Sequence, residues 1–395
     1  MALTIDYGAA AERFRAELRA WLDANVPDDD DERRALVASP AWERHLAAQR
    51  YICAAWPAEF GGSGLGGVEV AVMNEEFRRA RVPRVTRGMG EGLVGPSIIV
   101  HGTDEQRAHF LPRIIEGTDR YCQGFSEPDA GSDLAGLTTR GVLDGEEVVV
   151  TGQKVWTSWY WNATMVFCLC RTAPEAPKHQ GISYVLIPVN REDGSANGVE
   201  FRPLRQLTGE SHFAETFLSE ARAPLFNVIG GLDNGWRVAM TTLGNERGGS
   251  ATTQHLQWER EMWRAVDDVR KVGRERDPLV RQELAWAYTH VALMRYQGLR
   301  LLSEVVARRE PGPGASINKM FWSEFARRLG EVMMNLTGPD SMIRPGGDGY
   351  ELAHWQRLFL GARSHTIWGG TAEVQRNIAA ERVLGLPKEP GGGDE

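Results

Sequence analysis

The spacing of apolar residues divides the chain into helical ends and a central part of different character. Phe14, Leu18 and Leu22 recur every four residues, which is typical of the buried face of an amphipathic helix. Thr103 with Gln106 three residues later predicts a capping box at the start of another helix. Together with segments of the same character at 42–55 and 68–80, these patterns predict that about the first 115 residues are helical.

A second pattern, short runs of β-branched residues broken by turns, extends from about residue 121 to residue 225. Asp144 and Gly145, for example, form a turn signal shortly before the run Val148–Val150. No helical segment separates these runs, so they predict a small and mostly antiparallel β domain. Cys168 and Cys170 fall on one face of such a strand, and we interpret them as core residues.

Long helical periods return between about residues 235 and 386. Segments 280–308 and 316–336 are long enough to form a helical bundle, with breaks at Pro278 and at the Pro-Gly run 311–314. The glycine-rich tail from residue 387 onward is expected to fray. The order of elements predicts an α+β fold with an N-terminal helical domain at 1–118, a middle, mostly antiparallel β domain at 119–228 and a C-terminal helical bundle at 229–395.

Composition excludes several classes of protein. With 395 residues, 42% of them apolar, the chain is an ordinary globular protein, and its net charge of −8 argues against a nucleic-acid binder. The four cysteines form no C-x-x-C pair, so no zinc site or redox motif is indicated and no metal is expected. The N-terminus fits neither a signal nor a transit peptide, and no apolar run approaches the roughly 20 residues of a membrane span. These features predict a cytoplasmic protein without a membrane contact.

The segment Gly62–Gly67 satisfies the dinucleotide-binding pattern G-x-G-x-x-G. A true fingerprint follows a β-strand and opens a helix within a βαβ unit, whereas this segment follows a helical region and the residues Trp56–Phe60. We therefore interpret it as a glycine-rich loop between helices rather than as a nicotinamide site.

Three further segments carry the pattern of a flavin site. Gln123–Asp133 ends a strand in a Gly-Ser-Asp turn, which leaves backbone N–H groups and hydroxyls available for an anion or a flavin edge. Gly152–Ser158 reads G-Q-K-V-W-T-S, and Ile367–Ile378 reads I-W-G-G-T-A-E-V-Q-R-N-I. In order and spacing they resemble the S/T-E-P-x-A-G-S-D, G-x-K-x-W-[IT]-[TS] and I-Y-x-G-T-x-E-I-Q-R-N-I segments of the acyl-CoA dehydrogenase family.

This resemblance extends over nearly the whole chain and implies an enzyme that binds FAD and oxidises an acyl-CoA thioester to the 2-enoyl-CoA. It implies that Trp156 and Ser158 contact the isoalloxazine ring, and that Ser132 lies where the cofactor and the pantetheine arm of the substrate meet. The FAD contacts that it implies are Gln123, Phe125, Ser126, Gly131, Ser132, Trp156, Ser158, Trp368, Gly370, Thr371 and Glu373. The aromatic run Trp159–Trp161 is interpreted as core rather than as part of the cofactor site.

The chain departs from the medium-chain branch of the family at the catalytic base. The reaction needs a carboxylate that removes the α proton while hydride leaves the β carbon for flavin N5. In that branch a Glu precedes the Gly-Thr of the C-terminal segment, but here the position is Gly369. Glu246 matches instead the position of the base in the isovaleryl-type and long-chain branches, which implies that Glu246 is the base. Arg247, which follows it, either orders this helix or contacts the substrate.

The subunit contacts that the family implies are altered as well. Segments 271–276 and 335–340 stand where relatives carry Arg-x-x-Phe-Gly and Gln-x-x-Gly-Gly, which reach the FAD of a neighbouring subunit, and neither reproduces that pattern. In this the chain resembles a bacterial branch that includes two-subunit enzymes acting on steroid side chains. A homodimer, a homotetramer and a heteromer with a related chain all stay open. The family implies an electron-transfer flavoprotein as the oxidant.

Two other functions are compatible with the same fold. A flavin monooxygenase would lack the base, so Glu246 counts against it. A non-catalytic partner subunit, or a nucleic-acid-associated relative, would not need the flavin chemistry. We expect FAD-dependent α,β-dehydrogenation of an acyl-CoA, with the length, branching or sterol character of the acyl group left open.

Overall fold

The computed structural model describes residues 7–248, 254–306, 314–343 and 351–388. The chain divides into two compact units. Met1–Pro203 with Phe213–Asn245 form the first, and Leu204–His212 with Glu246–Glu395 form the second. The first unit contains N-terminal helices and a β-sheet, and the second contains the C-terminal helices, which confirms the predicted α+β class.

The N-terminal part of the first unit is helical, as predicted. α1 ends at Asn25, directly before the Val26-Pro27 step. The Thr103 hydroxyl accepts a hydrogen bond from Gln106 N while the Gln106 side chain accepts one from Thr103 N, so the predicted capping box starts α6. The helices are α1 (Ala9–Asn25), α2 (Asp30–Ala38), α3 (Pro40–Ala48), α4 (Gly67–Arg79), α5 (Gly95–His101) and α6 (Asp104–Glu116).

Helix α3 is shorter than its sequence pattern suggests. It ends at Ala48, because Arg50 and Cys53 adopt left-handed conformations with φ of 55° and 51° that interrupt a helix. What remains of α3 is fixed by packing: Trp42 is fully buried and stacks on Trp21 of α1 with ring centroids 5.7 Å apart.

The glycine-rich segment Gly62–Gly67 is a tight loop between helices, as interpreted. Ser63 N and Leu65 N both donate hydrogen bonds to Ala54 O. The loop follows a short 3₁₀ helix rather than a strand. A Cβ on Gly62 would lie 2.1 Å from Trp56 O, so the glycine serves a close approach of two backbone segments.

The middle part of the first unit is built on a sheet, whose eight strands all lie in the described residues. The strands are β1 (Tyr121–Gly124), β2 (Arg140–Asp144), β3 (Glu147–Ser158), β4 (Met165–Arg171), β5 (Ile182–Pro188), β6 (Val199–Leu204), β7 (Phe213–Pro224) and β8 (Val228–Ile229). Their spatial order is β6-β7-β3-β2-β4-β5-β8, with β1 paired to β4. β1 runs parallel to β4, whereas the ladders β2-β3, β3-β7 and β4-β5 are antiparallel, so the predicted mostly antiparallel sheet is confirmed.

The two alternating cysteines of β4 are core residues, as interpreted. Cys168 and Cys170 are fully buried among the apolar side chains of one face of the sheet. Burial raises the pKa of Cys168 to about 11 and raises the pKa of Cys170 further. Both thiols therefore stay protonated at neutral pH and lack the reactivity of a thiolate.

The second unit is a bundle of long helices, as predicted. α9 begins at Pro278, the predicted break, where the Asp277 carboxylate accepts a hydrogen bond from Leu279 N. The core is aromatic: buried Trp258 stacks on Trp322 at 6.0 Å and meets Phe325 edge-on at 5.7 Å. After α7 (Gly235–Gly248), whose first residues belong to the first unit, the helices are α8 (Gln254–Lys271), α9 (Pro278–Val306), α10 (Gly314–Thr337), α11 (His354–His365) and α12 (Ala372–Ile378).

Two sequence predictions concern segments that the structure describes only in part. Positions 311–313 of the predicted Pro-Gly break, and the tail from 389 onward, lie outside the described residues. Among the described helices, none is long and apolar enough to cross a membrane. The described residues also contain no cluster of three His, Cys, Asp or Glu side chains that could hold a metal ion.

The buried carboxylate of Glu76 on α4 forms ion pairs with arginines of α1. Glu76 is almost fully buried and receives hydrogen bonds from Arg19 at 2.7 Å, Arg79 at 2.8 Å and Arg15 at 3.1 Å. Burial alone would raise the pKa of Glu76, but the three guanidinium groups lower it from 4.5 to about 2. The ionised carboxylate therefore stabilises the folded state above pH 4.5, and this contribution is lost as the pH falls toward 2.

We expect Glu76→Ala to lower the free energy of unfolding at pH 7 by about 3 kcal/mol, because it removes one side of a buried ionic cluster. Glu12→Ala, which removes the more exposed i,i+3 partner of Arg15, should change it by at most about 1 kcal/mol. Urea denaturation of both variants measures the difference. The effect of Glu76→Ala should be smaller at pH 3.5 than at pH 7, and an effect independent of pH would contradict the assignment.

Candidate functional site

A buried ion pair joins the first two of the three segments singled out in the sequence. Lys154 of β3 is 0% exposed, and its Nζ lies 2.8 Å from Oε1 of Glu127, which is 6% exposed. The same ammonium donates a hydrogen bond to Phe125 O at 3.1 Å. A buried lysine without a carboxylate partner would carry a large desolvation penalty. The burial of Lys154 in the sheet therefore depends on its pairing with Glu127.

The Glu127 carboxylate is fully engaged by hydrogen-bond donors. Besides Lys154, it accepts bonds from Thr138 N at 2.7 Å, the Thr138 hydroxyl at 2.9 Å and Thr139 N at 2.9 Å. Burial by itself would raise the pKa of Glu127, but the Lys154 ammonium and these donors lower it to about 2. The carboxylate is therefore ionised at neutral pH, and it fixes the start of β2 relative to the loop that follows β1.

Backbone hydrogen bonds complete the joint between the two segments. Val155 N donates to Ser126 O at 2.9 Å, and Glu127 and Ala130 exchange N–H···O bonds of 3.0 and 3.1 Å across a tight turn. This turn carries Gly131 and Ser132 to the surface, where both are exposed. Sequence reasoning included Glu127 and Lys154 in motifs without giving either a role, although opposite charges in two apolar strand segments were a signal for such a pair.

The joint leaves polar groups available beside it. Among the described residues, the hydroxyls of Ser126, Ser132 and Ser158 make no hydrogen bond, and a Cβ on Gly131 would meet nothing within 4 Å. Gln123 is partly buried, whereas Phe125 packs into the core against Phe167 and Tyr184. The free hydroxyls and open backbone match the polar edge of a flavin, so this set of residues fits the cofactor that the sequence pattern implies. The individual contacts stay predictions.

Trp156 is presented outward by an irregularity in β3. The β3-β7 register shifts between Lys154 and Thr157, and Trp156 has a φ of 62°. Its ring is 60% exposed and touches Phe213 edge-on at a centroid distance of 6.1 Å. A bulky residue in the left-handed region is strained, and such strain persists where the surrounding structure imposes it, often at functional sites.

The interpretation of Trp159–Trp161 as core was wrong for both tryptophans. Trp159 is 47% exposed and Trp161 is 52% exposed, with ring centroids 5.3 Å apart. β3 ends at Ser158, and the φ of 64° at Trp159 turns the chain into a short 3₁₀ helix at the end of the sheet. The alternation that would have pointed these rings inward therefore stops just before them.

The third segment lies in the second unit and forms a tight turn. Gly369 and Gly370 have φ of 65° and 87°, a region that glycine adopts readily. Buried Lys319 donates to Gly370 O at 2.8 Å, and buried Gln375 donates to Gly369 O at 2.9 Å. A Cβ on Gly370 would lie 2.4 Å from Gln375 Nε2, so the turn depends on that glycine.

The predicted contacts on either side of this turn have distinct surroundings. The Thr371 hydroxyl accepts a hydrogen bond from Val374 N and so caps α12, in whose exposed first turn Glu373 lies. Trp368 packs against Trp322 at 5.5 Å and His365 at 5.7 Å. Burial, together with the charge of nearby Lys319, lowers the pKa of His365 to about 4, so this imidazole is neutral at pH 7.

The predicted base lies on α7. This helix begins at Gly235, where a Cβ would lie 2.4 Å from the backbone of Ser183 and Tyr184, and it extends to Gly248. Positions 246 and 247 are therefore in its last turn. The side chains of Glu246 and Arg247 lie outside the described part of the structure, so their roles stay predictions.

Three family models match most of the chain. Residues 9–118 match the model of the acyl-CoA dehydrogenase N-terminal domain, residues 122–219 that of the middle domain, and residues 233–384 that of the C-terminal domain. The chain belongs to the acyl-CoA dehydrogenase family. This membership makes it an oxidoreductase of a flavin-dependent family that acts on acyl-CoA.

Individual relatives of this acyl-CoA dehydrogenase are similar over their full length. Acyl-CoA dehydrogenase IpdE1 of Mycobacterium tuberculosis is 41% identical over 391 residues, which cover 96% of this chain and 99% of the relative. The structure titled Tcur3481-Tcur3483 steroid ACAD superposes with a TM-score of 0.79 at 31% identity, covering 98% of this chain and 100% of that one. The ChsE4-ChsE5 complex from Mycobacterium tuberculosis matches with a TM-score of 0.76 at 29% identity, covering 98% and 100%.

In this acyl-CoA dehydrogenase we expect Lys154→Met to lower the free energy of unfolding by about 3 to 5 kcal/mol, because it leaves the buried Glu127 carboxylate without a counter-ion. The combined change Glu127→Gln and Lys154→Met should be more stable than Lys154→Met alone, because it removes the uncompensated charge and keeps one acceptor oxygen, which can serve either Thr138 or Thr139. Urea denaturation at pH 7 compares the three proteins.

Lys178→Met is the matched control, because it breaks the exposed Lys178–Asp133 pair and should change the free energy of unfolding by at most about 1 kcal/mol. Equal stabilities of the Lys154→Met and Lys178→Met proteins would show that the buried pair does not hold the two segments together.

Proposed function

We propose that this protein catalyses the FAD-dependent α,β-dehydrogenation of an acyl-CoA thioester to the 2-enoyl-CoA. The observation that carries the proposal is the joint between the first two motif segments. The buried Glu127–Lys154 pair holds them together while Trp156 and the free hydroxyls of Ser126 and Ser158 remain available. That is the arrangement a protein needs to hold a planar ring by one face and one polar edge.

Glu246 is the base in this proposal. Its carboxylate would remove the α proton of the substrate, and the chemistry that FAD would supply when bound is acceptance of the hydride from the β carbon. The medium-chain position of the base is Gly369, which has no side chain and lies in a turn of positive φ, so it supplies no carboxylate. Glu246 on α7 is the carboxylate that the family resemblance offers in its place.

The cofactor and substrate contacts follow the three segments. Gln123, Phe125, Gly131, Ser132 and the exposed Trp156 are the FAD contacts proposed in the first two segments, and Trp368, Gly370, Thr371 and Glu373 are those proposed in the third. Ser132 would also meet the pantetheine arm, because it is exposed and its hydroxyl makes no hydrogen bond among the described residues. Arg247 is proposed as a substrate contact beside the base.

We further propose that the working enzyme is a heteromer with a related chain and acts on a bulky, sterol-derived acyl group. Two similar structures are titled as pairs of chains, Tcur3481-Tcur3483 and ChsE4-ChsE5, and the first title names a steroid ACAD. The segments 271–276 and 335–340 lack the family's inter-subunit FAD motifs, which a second, different chain would supply. An electron-transfer flavoprotein is proposed as the oxidant.

We expect the Glu246→Gln protein to retain FAD but to lose anaerobic bleaching of the flavin by acyl-CoA, because an amide cannot remove the α proton. Absorbance at the flavin band, followed with straight, branched and sterol-derived CoA esters, measures this and identifies the preferred acyl group. Glu116→Gln, at an exposed helix end, is the control and should bleach like wild type. Bleaching of the Glu246→Gln protein at the wild-type rate would refute the assignment of the base.

We expect the chain to form a mixed assembly when co-expressed with a related acyl-CoA dehydrogenase chain, and to bind less than one FAD per chain when expressed alone. Native mass spectrometry reports the subunits and the bound cofactor directly. A homomeric protein with one FAD per chain and full activity would contradict the heteromer while leaving the proposed reaction intact.

A further inference from the structure

Two side-chain pairs connect α7 to α5 across the first unit. The Ser97 and Thr242 hydroxyls are 2.7 Å apart, and His101 Nε2 lies 2.8 Å from the Thr241 hydroxyl. Residues 241 and 242 are consecutive on α7 and point in directions about 100° apart on a helix of 3.6 residues per turn. The two contacts together therefore oppose both rotation of α7 about its axis and sliding along α5.

The inner pair is completely buried. Ser97 and Thr242 are both 0% exposed, and each hydroxyl also lies within hydrogen-bond distance of a carbonyl four residues earlier in the chain, Leu93 O at 2.8 Å and Val238 O at 3.1 Å. Because two hydroxyl protons serve these three contacts, one hydroxyl donates to the other, which in turn donates to its own carbonyl. The fully buried hydroxyl of Tyr184 lies beside them, and burial raises the pKa of Tyr184 well above its ordinary value. Three hydroxyls thus meet at one point inside the core.

The surroundings of this point are apolar. Val94, Ile98, Val238 and Ala239 belong to the same buried cluster and are fully enclosed. Apolar side chains tolerate small shifts of one helix against another, but separating the two hydroxyls loses the hydrogen bond between them, about 1 kcal/mol. The hydroxyl pair therefore selects one register of α7 on α5, which apolar packing alone would leave less well defined.

The outer pair, His101 with Thr241, is a contact between two neutral groups. Burial and the nearby charge of Arg237 lower the pKa of His101, which keeps its imidazole neutral at pH 7. A neutral ring and a hydroxyl can pair with either one as the donor, so the contact persists without a counter-ion. It lies nearer the surface than the Ser97–Thr242 pair. The buried pair therefore contributes more to fixing the register of α7 on α5.

We infer that Ser97 and Thr242 are positioning residues for the reaction. Position 246 follows Thr242 by four residues, about one turn of the same helix, so a shift of α7 at Thr242 becomes a shift of the proposed base. A misplacement of about 1 Å in a reacting group can reduce a rate about 100-fold. The inference rests on the proposed function, in which residue 246 removes the α proton.

The test compares Thr242→Val, which keeps the shape of the side chain but removes the hydroxyl, with Ser97→Ala and with Thr242→Ser, which restores it. We expect Thr242→Val and Ser97→Ala to slow flavin bleaching at saturating acyl-CoA about 10-fold or more, with KM and FAD content within about 2-fold of wild type. The isotope effect with substrate deuterated at the α carbon should rise, and Thr242→Ser should recover most of the rate.

Thr289→Val is the matched control. Thr289 also bonds the carbonyl four residues earlier in its helix, Ala285 O at 2.8 Å, and its hydroxyl makes no other hydrogen bond in the described structure. This variant should bleach at the wild-type rate with an unchanged isotope effect. Thermal unfolding of all variants separates loss of fold from loss of position, because only a loss of position changes the isotope effect.

A second readout keeps the inference testable apart from activity. Amide hydrogen exchange of the last turns of α7 should be faster in the Thr242→Val and Ser97→Ala proteins than in Thr289→Val. Wild-type rates and unchanged exchange in both variants would overturn the positioning role. Wild-type protein that holds FAD but is bleached by no acyl-CoA would instead refute the proposed function, and the exchange measurement would then decide whether the pair still fixes the helix.

Discussion

The arrangement of the candidate site depends on one buried ion pair, Glu127 with Lys154. The strand that ends at Gly124 pairs with β4, and the strand that ends at Ser158 pairs with β2 and β7, so no ladder among the described strands joins the two directly. A carboxylate that accepts from Lys154, Thr138 and Thr139, together with the Val155 N–Ser126 O bond, fixes their distance, because a shift would leave the buried Lys154 ammonium and the buried Thr139 N–H without an acceptor. The surface that remains beside the pair is then available for a ligand.

The third motif segment, in the second unit, is fixed by backbone geometry rather than by an ion pair. The Gly369-Gly370 turn has positive φ at both residues and both carbonyls held by buried side chains, Gln375 and Lys319. The φ of 87° at Gly370 would strain any residue with a side chain. In the proposed assignment the base is on α7, in the Asn-Glu-Arg sequence, and so belongs to a different segment from the turn that is proposed to contact the cofactor. The Ser97–Thr242 pair then gives α7 its own fixed register.

Local patterns were sufficient to predict most of the fold. The four-residue repeat of Phe14, Leu18 and Leu22, the Thr103–Gln106 box and the alternating Cys168 and Cys170 depend on neighbours in sequence, and the structure has each of them as expected. The three motif segments were also visible, because their residue types follow from backbone geometry and from a family resemblance. Two of them lie together in the first unit, and one lies in the second.

Features that depend on tertiary contacts were not accessible in this way. The exposure of Trp159 and Trp161 follows from where β3 ends and from the left-handed φ of Trp159, which hydrophobic periodicity does not predict. The Ser97–Thr242 contact joins residues 145 positions apart, and neither residue has a sequence context that identifies its partner. The only sequence signal for the Glu127–Lys154 pair is the presence of two opposite charges in apolar surroundings. This signal becomes informative once the two strands are known to be neighbours.

The most direct test of this account is a crystal structure of the protein with FAD and an unreactive acyl-CoA analogue. The account predicts a carboxylate oxygen of Glu246 within about 3.5 Å of the α carbon, with Trp156 and Ser158 against the flavin ring. A Glu246 side chain turned into solvent, or a flavin bound away from the Glu127–Lys154 joint, would contradict it.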